Sequence, residues 1–270
     1  MFRQNTCRVN GNDILKTCAF PALFILIFLL VSCINKSDKT QKTEPDKSLT
    51  KSTVTTDPDH RSAEENEIKG RPETVTDIDG NEYQTISVGN QTWMLKNLKT
   101  TRFNDGSPIP LVPGEADWAA LATSGYCWYD NEESSYKPMY GALYNGFAVL
   151  TGKLCPVGWH VPADIEWAAL VKFLGGEHVA GAKLKEKGTT FWVSPNAGAS
   201  NESGFTALPG GVRYHDGAFH DFGFSGYFWS STEYYQNRAF FYYVDYQYTN
   251  VFRFDNLKKN GFSVRCIMDY

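Results

Sequence analysis

The sequence predicts an α+β domain over residues 73–270, built of irregular, Gly- and aromatic-rich β-structure around one main helix at about residues 163–174. Three observations point there. Extended segments broken by Gly, Asn and Asp turns start at Val75 and resume after Gly188 through to Val264. One stretch between them has helical apolar spacing, with Ile165, Trp167, Leu170, Val171 and Leu174 placed on one face. Aromatic residues make up 15% of the chain, enough for a core, and composition does not break again after residue 73, so one domain is expected.

Taken in order, Val75–Ile78, the turn Asp79-Gly80-Asn81 and Glu82–Val88 read as a hairpin. Gly89-Asn90 turns the chain into Gln91–Met94. Phe103 to Pro113 is dense in Pro, Gly, Asn and Asp and predicts an irregular loop. Asp117–Leu121 suits one or two helical turns. Pro162 ends an extended segment, and Asp164 sits in the first turn of the main helix, where an acid favours the dipole. Gly175-Gly176 stops that helix, and a shorter one is expected around Val179–Lys187.

The front of the chain is different. Arg3, Arg8 and Lys16 precede an apolar run from Cys18 to Val31, about 14 residues where a membrane span needs roughly 20. That pattern is a signal peptide over residues 1–32. Its end, Leu30-Val31-Ser32-Cys33, resembles the lipobox of bacterial lipoproteins, which implies cleavage before Cys33 and acylation of its sulfur. An uncleaved anchor with an incidental cysteine is the alternative. Residues 34–72 contain no Phe, Trp or Tyr and eight acidic against eight basic residues, so they bury too little to offset their ordering entropy and form a tether. Net charge is −4, which leaves no basic footprint for nucleic acid.

Residues 75–83, 89–94 and Asn97-Leu98 resemble the opening of the Fibrobacter succinogenes major paralogous domain family. So do Tyr140–Asn145, Cys155-Pro156-Val157-Gly158-Trp159-His160-Val161-Pro162, Gly204–Arg213, Phe228–Thr232 and Gly261–Cys266. The family consists mostly of lipoproteins and secreted proteins of no agreed activity. Val161–Trp167 and Gly261–Arg265 also resemble the C-type-lectin-like fold as used by formylglycine-generating enzymes, where such segments start the main helix and end the domain. That fold would set Cys155 beside Cys266 and implies a disulfide between them; Cys127 with Cys155 is the other pairing.

The candidate sites are few. The formylglycine-generating enzymes hold copper with two cysteines close to the C-terminus, and here Cys266 has no such neighbour. His60, His160, His178, His215 and His220 lack the spacing of a zinc pair, so no metal or cofactor is expected. Asp164 and Glu166, two apart on a helix, do not face each other; a helix cap and a buried hydrogen bond are the roles expected of them. Trp159, Trp167 and Trp229 read as core, and Cys127 as a buried free thiol. Ser194-Pro195-Asn196 lacks the acid of calcium-dependent lectins. Residues 233–255 hold more tyrosines than one core can take, and alternation turns some outward. Tyr234, Tyr235, Tyr246 and Tyr248 are the candidate ligand-binding residues.

These readings lead to the expectation of an outer-membrane lipoprotein, periplasmic or surface-exposed, with a non-catalytic domain that binds polysaccharide or another envelope protein. An oxidase related to formylglycine generation and a purely structural envelope protein are the rivals.

Overall fold

A computed structural model describes residues 73–270. The signal peptide, Cys33 and the tether lie outside the described residues. Strand accounts for 33% and helix for 20% of the described residues, so sheets dominate a broadly α+β fold.

The opening hairpin forms as the turn residues dictate. Strand β1 (Thr74–Thr76) pairs with β2 (Glu82–Val88), Val75 opposite Tyr83, and β2 continues antiparallel into β3 (Gln91–Met94). Asp77 closes the first turn: its carboxylate accepts from the Asp79 and Asn81 amides at 3.0 and 2.9 Å and from the Tyr83 hydroxyl at 2.6 Å. With β6 (Trp159–His160) and β13 (Ile267–Met268) these strands make a five-stranded sheet in the order β1-β2-β3-β13-β6.

A second sheet has eight strands. Its order is β11 (Val251–Leu257), β10 (Arg238–Asp245), β9 (Ser225–Tyr235), β7 (Gly210–Arg213), β12 (Gly261–Phe262), β5 (Leu143–Asn145) and β4 (Tyr126–Cys127), with β8 (Phe219–Phe222) paired to β7. Alternation along the strands sends neighbours into different cores. Met94, Trp229 and Phe241 enter a core shared by the two sheets with Tyr144, Trp159 and Phe262. Their neighbours Trp93, Phe228 and Tyr242 enter a second core under two helices, with Trp167, Leu170, Leu174 and Leu184.

Five short α-helices occur among the described residues: α1 (Glu115–Ala120), α2 (Glu133–Tyr140), α3 (Gly146–Val149), α4 (Asp164–Phe173) and α5 (Glu177–Leu184). Helix α4 is the expected main helix, α1 and α5 lie where shorter ones were expected, and α2 and α3 were not expected. Ile165 is not on the buried face of α4; it is 78% exposed. It precedes Trp167 by two residues, hence by about 200° around the helix. Asp164 does not cap α4 either, because the N-cap is Ala163. Glu166 serves instead, its carboxylate accepting from the Ala163 amide at 2.7 Å. The same carboxylate meets His160 Nε2 at 2.9 Å, while His160 Nδ1 meets Asp269 at 2.6 Å. These bonds, Glu166 first, lift the His160 pKa to about 9 and tie the chain end to the start of α4.

Two internal fastenings complete the domain. Cys155 and Cys266, 111 residues apart, form a disulfide beside β6 and β13, and Cys127 is a buried free thiol. Lys185, fully buried after α5, donates to three carbonyls: Ala197 at 3.1 Å, and Asp245 and Tyr248 at 2.8 Å. Burial pulls its pKa down to about 8. Gly181 lets α5 sit on the adjoining loop, since a Cβ there would stand 2.1 Å from the Asn250 carbonyl oxygen.

Candidate functional site

The four candidate tyrosines do not gather. Tyr235 lies opposite Arg238 at one end of the β9–β10 pair, whereas Tyr246 and Tyr248 follow Asp245 at the other end. Eight residues of strand at about 3.3 Å each set the two groups roughly 25 Å apart. Tyr234, Tyr235 and Tyr248 are exposed, but Tyr246 is half-buried against the second core, edge-on to Phe224. Alternation does turn tyrosines outward; it does not unite these four into one site.

A cleft of about 560 Å³ opens between helices α4 and α5 and the strands β10 and β11. Its apolar wall is Ala168, Val171 and Val251, its aromatic floor is Tyr242, and Lys172, Glu177 and Arg253 supply charge. Each element contributes for a local reason. Helix α4 turns Trp167 and Leu170 inward, which leaves Ala168 and Lys172 on the flank above the sheet. Gly175 and Gly176, both with φ near +100°, break the helix so that α5 leaves at an angle. Register places Tyr242 opposite Arg253 across β10 and β11, so both side chains rise from the same face.

The polar geometry at the mouth is fixed. Arg253 grips Asp164 with two parallel bonds, Nε to Oδ1 at 2.6 Å and Nη2 to Oδ2 at 2.7 Å. The Tyr242 hydroxyl donates to the same carboxylate at 2.9 Å. Burial works to raise the Asp164 carboxyl, but the bonds from Arg253 and Tyr242 outweigh it and its pKa is lowered. Burial and the adjacent carboxylate together push the Tyr242 phenol upward. At neutral pH the cluster therefore presents a carboxylate, a guanidinium and a protonated phenol, none poised to exchange a proton. The Arg253 guanidinium also stacks on Phe240, 3.9 Å from the ring centroid, and Tyr234 meets Phe240 edge-on at 5.1 Å. An exposed aromatic ledge thus adjoins the cleft, and of the four candidate tyrosines only Tyr234 packs onto it.

The other sequence candidates carry less. Trp159, Trp167 and Trp229 are core residues, as expected. Burial pushes the Cys127 thiol up to about 12, which leaves it protonated and unreactive. Cys266 is held in the disulfide, so its sulfur is not a free thiolate ligand of the kind the formylglycine-generating enzymes use. Among the described residues no group of His, Cys, Asp and Glu could hold a metal ion. Sequence reading missed the Asp164–Tyr242–Arg253 cluster because its members are up to 89 residues apart. The one usable signal was Asp164, an acid in the first turn of the main helix, which the sequence pattern assigned to a cap.

No curated protein and no solved structure matches the chain. A family model, the Fibrobacter succinogenes major domain, matches residues 86–268, about two thirds of the chain. The chain belongs to the Fibrobacter succinogenes major domain family.

Proposed function

We propose that this protein is an outer-membrane lipoprotein, acylated on Cys33, whose C-type-lectin-like domain binds an uncharged polysaccharide in the α4–β10–β11 cleft. The observation that carries the reading is the bidentate Arg253–Asp164 pair set between a cleft and the Phe240–Tyr234 ledge. Neighbouring sugar hydroxyls each donate and accept, and a fixed guanidinium–carboxylate pair offers both functions in one plane. The flat C–H face of a pyranose suits an aromatic ring beside it. Lys172 and Arg253 are balanced in sign by Glu177 and Asp164, which favours a neutral ligand over an acidic one. The volume lies within the roughly 300–1,000 Å³ usual for ligand clefts. The lectin-like reading of the fold is supported by Val161–Trp167 leading into α4 and by Gly261–Arg265 near the chain's end.

A glycan array probed with the full chain in detergent tests the binding reading. One class of neutral glycan should bind with and without chelator. Arg253→Ala should weaken that binding about 10- to 100-fold, the cost of roughly 1.5–3 kcal/mol for bonds to a charged group. Binding undiminished in Arg253→Ala places the ligand elsewhere, and a blank array moves the reading to a protein partner. The anchor is tested separately: Cys33→Ala should shift the protein from the membrane to the soluble fraction with the domain's melting temperature unchanged. Continued acylation of that variant would refute the lipid assignment.

A further inference from the structure

Arg265 is 1% exposed and forms no ion pair with any Asp or Glu among the described residues. Its bonds go only to neutral oxygens. Nε and Nη2 donate to Asn97 Oδ1 at 3.3 and 2.9 Å, Nη2 to the Thr206 carbonyl at 3.4 Å, and Nη1 to the Phe205 carbonyl. A guanidinium has five N–H donors, and these bonds engage four, so one Nη1 hydrogen remains. The ring of Phe205 lies 4.1 Å beneath the cation. A buried charge without a counter-charge costs several kcal/mol. Arg265 nevertheless lines a pocket of about 210 Å³ on the side of the domain formed by β2, α2 and the 186–208 segment.

The pocket's remaining lining defines a ligand. Lys96 stands at the rim with a second positive charge, against a single Glu186, so the net charge is +1. Met139, Phe191 and Leu208 supply an apolar wall. The volume is below the roughly 300 Å³ at which clefts begin to hold drug-sized molecules, which restricts the ligand to a short chain or one ring. We propose that this pocket binds a small organic carboxylate, its anionic group against Arg265 and Lys96 and its apolar body against Met139 and Phe191. The site is separate from the α4–β10–β11 cleft and shares no residue with it.

Calorimetric titration of the full chain with benzoate, and in parallel with the uncharged isostere benzamide, tests the proposal. Benzoate should saturate the protein, and benzamide should bind at least about tenfold more weakly. Substituting Arg265 would threaten folding, so the confirming variant is Met139→Trp, at a residue 40% exposed on the pocket's edge. It should fill the pocket and lower benzoate affinity at least about tenfold at unchanged melting temperature. Lys96→Gln should weaken benzoate and leave benzamide unaffected. Equal binding of the two ligands, benzoate binding undiminished in Met139→Trp, or no binding of benzoate at roughly tens of millimolar would each overturn the proposal.

Discussion

Removing the Cys155–Cys266 bridge by the double change Cys155→Ala and Cys266→Ala is expected to lower the melting temperature by roughly 10–20 °C. The bridge closes a loop of 111 residues, which on the chain-entropy model adds about 4–5 kcal/mol by restricting the unfolded chain. For a domain of this size each kcal/mol shifts the melting point by about 2–4 °C. Alanine is the better replacement, because both sulfurs are buried and serine would leave a hydroxyl without water. The local geometry has other supports: the Met94 amide donates to the Cys266 carbonyl at 3.0 Å, and Asn104 Nδ2 donates to the Cys155 carbonyl at 3.0 Å. The variant should therefore keep its native far-ultraviolet spectrum at 20 °C while melting early in scanning calorimetry. An unchanged melting point would mean that the bridge contributes nothing beyond these bonds.

Trp167→Ala carries the second large effect. Trp167 is 1% exposed and stacks on Tyr242, ring centroids 5.2 Å apart and planes 18° from parallel. It also lies 4.9 Å from Trp93, and its indole nitrogen donates to the Trp229 carbonyl at 3.3 Å. Truncating such a ring to alanine costs about 3–5 kcal/mol through lost transfer energy and an unfilled cavity. The change reaches the cleft as well, because Tyr242 loses the surface that holds its hydroxyl on Asp164. Glycan binding and melting temperature should fall together in Trp167→Ala. In Trp167→Phe, which keeps a ring but not the indole N–H, both should fall less. Binding that survives in the alanine variant would separate Tyr242 from the ligand.

Much of the fold was legible because turn chemistry is local. Gly80 and Gly89 adopt positive φ where the sequence placed turns, and the three opening strands follow. The main helix was legible in its periodicity and in its Gly-Gly stop, although Ile165 shows how two residues of offset move a side chain to the far face. Helix α2 was not legible: it holds Pro138 in its interior and buries none of its residues, so no apolar stripe announced it. The site was the least legible part. Composition revealed an excess of tyrosines, but only register assigns them, sending Tyr242 to the cleft floor and setting Tyr235 far from Tyr246. Asp164 and Arg253 have no sequence relationship until β11 pairs with β10 beside α4.

Lys185 holds its loops in the way that a bound cation ringed by carbonyl oxygens can. Its ammonium gathers oxygens from the 197, 245 and 248 segments around one positive charge carried by the polypeptide itself. The bond lengths are those of an ammonium rather than a metal, but the mechanical result is the same: three loops pinned to the end of a helix. A chelator has nothing to extract at that point, so these loops keep their shape in surroundings where divalent ions are scarce or contested.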